Sequence, residues 1–118
     1  MARILVVDDE PDIRELLTEF LGGEGFEVTS VETGREAIEA FTARAYDAVL
    51  LDWSIPGIRA REVMSQIIEI RPGCRIFLMT GNVDEGQRLA GAQGPILGVF
   101  RKPFSLHNLS GALRRVLD

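Results

Sequence analysis

A chain of 118 residues is long enough to bury one hydrophobic core and too short for two ordinary ones, so a single domain over 1–118 with no output domain is expected. The net charge of −5, with no basic run anywhere, argues against direct nucleic-acid binding, which needs a concentrated positive surface. The lone Cys74 excludes an intramolecular disulfide or a cysteine metal cluster, and with no signal-like start and no apolar run of spanning length the chain reads as cytoplasmic, with no membrane contact.

Five short apolar runs, at 4–7, 26–31, 48–51, 75–79 and 96–100, are rich in β-branched or aromatic residues and predict strands. Runs one, three and four are almost continuously apolar, the pattern of strands buried on both faces of a parallel sheet, whereas run two alternates and suits an edge. Apolar residues at three- and four-residue spacing predict helices between them. Ile13, Leu16, Leu17, Phe20 and Leu21 mark the first, Ala37, Ile38 and Phe41 the second, Val63, Ile67 and Ile70 the third, and Leu106, Leu109, Leu113, Val116 and Leu117 the last. Gly22 and Gly23 end the first helix, Thr33 caps the second, Pro72 and Gly73 stop the third, and Ser105 caps the last. The weakest segment is 81–95, where Gly86, Gly91 and Gly94 interrupt the stretch left for a fourth helix, which is expected to be short or mobile. Strand and helix alternate five times, which implies a doubly wound α/β sheet with its chemistry at the carboxyl ends of the strands.

Polar residues stand at those ends. Asp8, Asp9 and Glu10 follow the first strand and Asp52 follows the third, so the sheet should bring several carboxylates together. Two unit charges about 4 Å apart at an effective dielectric near 20 repel by about 4 kcal/mol, which calls for raised pKa values or a cation. Oxygen ligands of this kind match Mg²⁺. The competing reading of Asp8 and Asp9 is that they merely cap the following helix; the third carboxylate from another strand favours the metal. An Asp beside a metal can attack phosphorus and form an aspartyl phosphate, provided that a cation and a hydroxyl converge on the moving oxygens. Thr80, ending strand four before Gly81, and Lys102, ending strand five before Pro103, stand where these are needed.

With ILVVDDE at 4–10, YDAVLLDWSIPG at 46–57, MTG at 79–81 and KPF at 102–104, the chain resembles the response-regulator receiver family along its whole length. The fold expected is flavodoxin-like (βα)5, with strand order 2-1-3-4-5. The resemblance implies Asp52 as phosphoacceptor, Asp9 as a direct Mg²⁺ ligand assisted by Asp8, and the backbone carbonyl of Ser54 as a further ligand beside Asp52. It also implies Thr80 bonded to the phosphoryl group, and Lys102 paired with a phosphoryl oxygen before a commonly cis proline. The implied donor is a sensor histidine kinase or a histidine phosphotransfer protein, and the output is an unidentified downstream protein target, bound by a monomer or a phosphorylation-dependent dimer.

Three positions depart from the family. Val99 stands where Tyr or Phe often serves as a rotamer switch, and Phe100 should face the opposite side of the strand. The glycine-rich fourth helix lies in what is usually the output face, so signalling there could involve ordering of a loop. Arg59 and Arg61 follow the third strand where an acidic residue and Gly are common, and read as a solvated surface with partner contact as the alternative. Trp53 is placed to report metal binding, although packing is its default role. His107 reads as a surface residue and Cys74 as a small buried hydrophobe. Two other functions compete with the switch. An Asp-nucleophile phosphatase is disfavoured because the acidic pair precedes the nucleophile and no cap domain fits; a binding-only pseudo-receiver is disfavoured by the intact Asp9, Asp52, Thr80 and Lys102 set.

Overall fold

The computed structural model describes residues 2–82, 84, 88 and 96–117. Five strands form one sheet: β1 (Arg3–Val7), β2 (Glu27–Val31), β3 (Ala48–Asp52), β4 (Arg75–Thr80) and β5 (Ile96–Arg101). All neighbours are parallel and the order is β2-β1-β3-β4-β5. Four helices lie among the described residues: α1 (Pro11–Gly23), α2 (Gly34–Ala43), α3 (Ala60–Ile70) and α4 (Leu106–Leu117). The helix expected within 81–95 lies outside the described residues.

Alternation along the inner strands builds two separate cores. Leu5, Val7, Val49, Leu51, Ile76 and Leu78 pack with Ala37 and Phe41 of α2 and with Val63 and Ile67 of α3. The intervening residues, Ile4, Val6, Ala48, Leu50, Phe77 and Met79, pack with Leu17 and Leu21 of α1 and with Leu109 and Leu113 of α4. Burial on both faces accounts for the uninterrupted apolar runs of these strands. β2, at one edge, has no fully buried residue.

Capping follows the sequence. Thr33 Oγ1 accepts from the Glu36 amide at 3.1 Å while Glu36 Oε1 accepts from the Thr33 amide at 3.1 Å, a reciprocal capping box. Ser105 Oγ accepts from the Asn108 amide at 3.2 Å, α3 stops two residues before Pro72, and α1 ends at Gly23. Beyond that end, Glu24 holds α4 in place: its side chain accepts from the Ser110 hydroxyl at 3.0 Å, and its carbonyl accepts from Arg114 at 2.8 Å.

An irregularity lies between β4 and β5. Ile76 pairs with Ile96, but Phe77 pairs with Gly98, so Leu97 is an extra residue on β5 and is 49% exposed. Gly98 then passes close to the Phe77 ring, where a Cβ would lie 3.1 Å from Cδ1. Downstream of the shift Thr80 pairs with Arg101, and the Lys102 amide donates to the Thr80 carbonyl at 2.7 Å.

Gly34, at the start of α2, lies tightly against α3, since a Cβ there would lie 2.6 Å from Val63 Cγ2. Val63 is β-branched and fully buried, so it has little freedom to yield. Gly34→Ala is expected to destabilise the protein by about 1–3 kcal/mol. Urea unfolding of Gly34→Ala, Val63→Ala and the double variant checks this: overcrowding predicts that the double variant loses less than the sum of the two, and strict additivity would remove the explanation.

Candidate functional site

Backbone hydrogen bonds continue past the strand ends and fix where the polar side chains emerge. The Asp8 amide donates to Val31 O at 3.1 Å and the Trp53 amide to Met79 O at 2.8 Å, much as Lys102 is tied to Thr80. Carboxylate oxygens of Asp8, Asp9 and Asp52 consequently all lie within 4.8 Å of one another. Asp8, Asp52 and Thr80 are buried, at 0%, 3% and 0% exposure. Lys102 Nζ reaches into the group, 2.7 Å from Asp8 Oδ2, 3.4 Å from Asp52 Oδ2 and 3.7 Å from Glu10 Oε1.

The other oxygens of Asp8 and Asp52 are held locally. Asp8 Oδ1 accepts from the Glu10 amide at 2.9 Å, and Asp52 Oδ1 accepts from the Ser54 amide at 3.0 Å. Both are two-residue Asx turns, which let a short acidic side chain organise its own loop. Asp8 therefore does not cap α1: the helix begins at Pro11, and its preceding residue, Glu10, makes no side-chain cap bond. Thr80 Oγ1 accepts from the Asn82 amide at 3.2 Å. The Lys102–Pro103 peptide is cis.

One ammonium cannot neutralise three clustered carboxylates. Burial, reinforced by the neighbouring Asp8 charge, raises the Asp52 pKa above the usual carboxylate value, and the Ser54 amide and Lys102 only partly oppose this. For Lys102 burial acts to lower the pKa, but the bond to Asp8 and the charges of Asp52, Asp8 and Glu10 prevail and hold it above its ordinary value. The all-oxygen donor set and its spacing fit a hard divalent cation such as Mg²⁺, with Asp8, Asp9 and Asp52 as the side chains able to hold it.

The flanking residues fall into place around this group. Trp53 is half-buried against the core on the α2 and α3 side, and the Arg61 guanidinium lies over its ring at 5.5 Å from the centroid. Arg59 is exposed, and with Arg61, Ile55 and Ala60 it borders a cavity of about 250 Å³ beside Trp53. Val99 packs into the α2 and α3 core, whereas Phe100 faces the other way and stacks on Phe77 at 6.0 Å. His107 is exposed, and Cys74 is buried, with its thiol pKa pushed up to about 11 by burial. Sequence reasoning missed Arg14, whose Nη1 donates to the Asp8 carbonyl at 2.8 Å. The available signal was a charged residue at the same helical spacing as buried Leu17 and Leu21.

A family model described as the response regulator receiver domain matches residues 4–114. The chain belongs to this family. Among curated relatives, the receiver is 38% identical over 112 residues to the transcriptional regulatory protein TcrA of Mycobacterium tuberculosis, covering 95% of this chain and 44% of TcrA. It thus spans less than half of that relative's length. Against sporulation initiation phosphotransferase F of Bacillus subtilis the identity is 30% over 115 residues, covering 98% of this chain and 93% of the relative. Among solved structures, the response regulator TrrA of Thermotoga maritima in complex with Mg²⁺-BeF superposes with a TM-score of 0.87 at 38% identity, covering 99% of this chain and 100% of that one. A structure of histidine kinase ThkA in complex with TrrA matches with a TM-score of 0.83 at 37% identity over the whole of both chains.

The raised Asp52 pKa has a consequence for the metal-free receiver. A carboxyl that titrates above its unfolded value opposes folding once ionised, so its contribution is best at low pH and is lost as pH rises through the shifted value. Asp52→Asn should therefore stabilise the metal-free protein at neutral pH, by a few degrees in Tm if about 1 kcal/mol of desolvation and repulsion is relieved. The gain should shrink as pH falls towards the ordinary carboxylate range. Thermal unfolding in chelator across pH measures it; an Asn variant less stable at neutral pH would show that the Lys102 contact outweighs the repulsion.

Proposed function

We propose that this receiver accepts a phosphoryl group on Asp52, with Mg²⁺ bound, and switches its binding to a downstream protein. The observation that carries the proposal is the convergence of Asp8, Asp9 and Asp52 within 4.8 Å, with Lys102 Nζ 3.4 Å from Asp52. Asp9, Asp8, Asp52 and the Ser54 carbonyl are the proposed metal ligands. The bound cation would supply the positive charge that lets a phosphoryl group approach these carboxylates.

The donor proposed is a phosphohistidine on a sensor histidine kinase or a histidine phosphotransfer protein, and the ThkA–TrrA complex supports a kinase partner. An ionised Asp52 oxygen attacks phosphorus, a P–O bond forms, and the P–N bond breaks with its electron pair going to the imidazole nitrogen. Lys102, whose ammonium is 2.7 Å from Asp8 and carries three donors, stabilises the charge on a phosphoryl oxygen. Thr80, buried at the end of β4, bonds another phosphoryl oxygen through its hydroxyl and carries the change towards β5. In this role 1–118 works as one receiver unit and catalyses only its own phosphorylation and dephosphorylation. Its relatives include one of almost the same length and one more than twice as long.

Intact-mass spectrometry after incubation with a small phosphodonor and with a phosphohistidine protein tests the proposal. One added phosphoryl group is expected in the wild type with Mg²⁺, and none in chelator or in Asp52→Asn. Failure of both donors in the presence of Mg²⁺ would reject the phosphoacceptor role and leave a binding-only module.

A further inference from the structure

Arg14 is a charged residue on the buried stripe of α1. It precedes Leu17 by three residues and Leu21 by seven, and both leucines are fully buried, so the packing of α1 aims Arg14 at the carboxyl edge of the sheet. There its Nη1 donates to the backbone carbonyl of Asp8 at 2.8 Å. Every polar group of Asp8 is thereby held: the amide by Val31 O, Oδ1 by the Glu10 amide, Oδ2 by Lys102 and the carbonyl by Arg14.

The Asp8 carbonyl belongs to the peptide plane that leads into Asp9. That plane is rigid, so holding its oxygen also orients the Asp9 amide and the direction in which Asp9 leaves the loop. Asp9 has no side-chain hydrogen bond of its own among the described residues, so its aim depends on its backbone. We infer that Arg14 is a positioning residue for Mg²⁺ binding, acting on Asp9 through the Asp8–Asp9 peptide. The inference rests on the reading of Asp8, Asp9 and Asp52 as the metal site.

Charge and positioning predict opposite outcomes. A guanidinium beside a cation site repels the cation, so an Arg14 acting only by charge would weaken Mg²⁺ binding and its removal would tighten it. A positioning Arg14 strengthens binding, and its removal weakens it. Titration of Mg²⁺ into wild type, Arg14→Ala and Arg14→Lys, read by Trp53 fluorescence and by calorimetry, separates the two, with thermal unfolding in chelator alongside.

Arg14→Ala is expected to bind Mg²⁺ about tenfold more weakly, as is typical when a group supporting a ligand is lost. Arg14→Lys, which keeps the charge but not the forked donor geometry, should lie between it and wild type. Unchanged or tighter binding by Arg14→Ala would overturn the inference. Should Arg14→Ala fail to fold, Arg14→Lys decides: weaker binding by a folded Lys variant supports positioning, and wild-type affinity rejects it. A wild type that binds no Mg²⁺ would overturn the metal-site reading and this inference together, whereas wild-type binding with unaltered variants would overturn this inference alone.

Discussion

The constraint on which the rest of the molecule depends is the crowding of carboxylates at the carboxyl edge of the sheet. Asp8 and Asp52 are buried, Asp9 completes the group within 4.8 Å, and the Lys102 ammonium contacts Asp8 and Asp52. Such an arrangement is unfavourable without a cation and would be relieved by one, so that stability and cation affinity would be linked through the same charges. Burial first, and the Asp8 charge after it, raise the Asp52 pKa within this group. Lys102 hydrogen-bonds both buried carboxylates and is held more closely by Asp8 than by Asp52.

A strained edge of this kind needs a stiff support. The support is a sheet whose inner strands are sealed on both faces, α1 and α4 on one side and α2 and α3 on the other. Close packing leaves the strand ends little freedom, and the ladder bonds running beyond them carry that rigidity one residue further, to Asp8, Trp53 and Lys102. Each acidic loop then completes itself through an Asx turn, and Arg14 closes the one polar group of Asp8 that the sheet and loop leave over.

On β5, Val99 occupies the position where the family resemblance leads an aromatic switch residue to be expected. Val99 is β-branched and packs into the α2 and α3 core, so it has no ring to swing between two positions. Phe100 offers none in its place, because it is packed in the opposite core, stacked on Phe77 and edge-on to Phe104. Thr80 is joined to β5 by its pairing with Arg101 and by the bond from the Lys102 amide to its carbonyl.

Much of this was legible in the residues alone. Five apolar runs, four amphipathic stripes and the caps at Thr33 and Ser105 specify elements by local periodicity and hydrogen-bonding chemistry, and these need no knowledge of distant neighbours. The alternation of strand and helix then places Asp8, Asp9, Asp52, Thr80 and Lys102 at a common edge. Tertiary structure decided what depends on register and on contacts between elements. The extra residue Leu97 sets β5 so that Lys102, and not Arg101, follows the position paired with Thr80; it also turns Val99 and Phe100 to their respective cores. Shifting a strand by one residue reverses every side chain on it, and the shift here accommodates Gly98 against the Phe77 ring, a contact between strands that no local pattern records. The bond from Arg14 to the Asp8 carbonyl is of the same kind, since a helical stripe can place a guanidinium at the sheet edge but only the packed α1 decides which oxygen it meets.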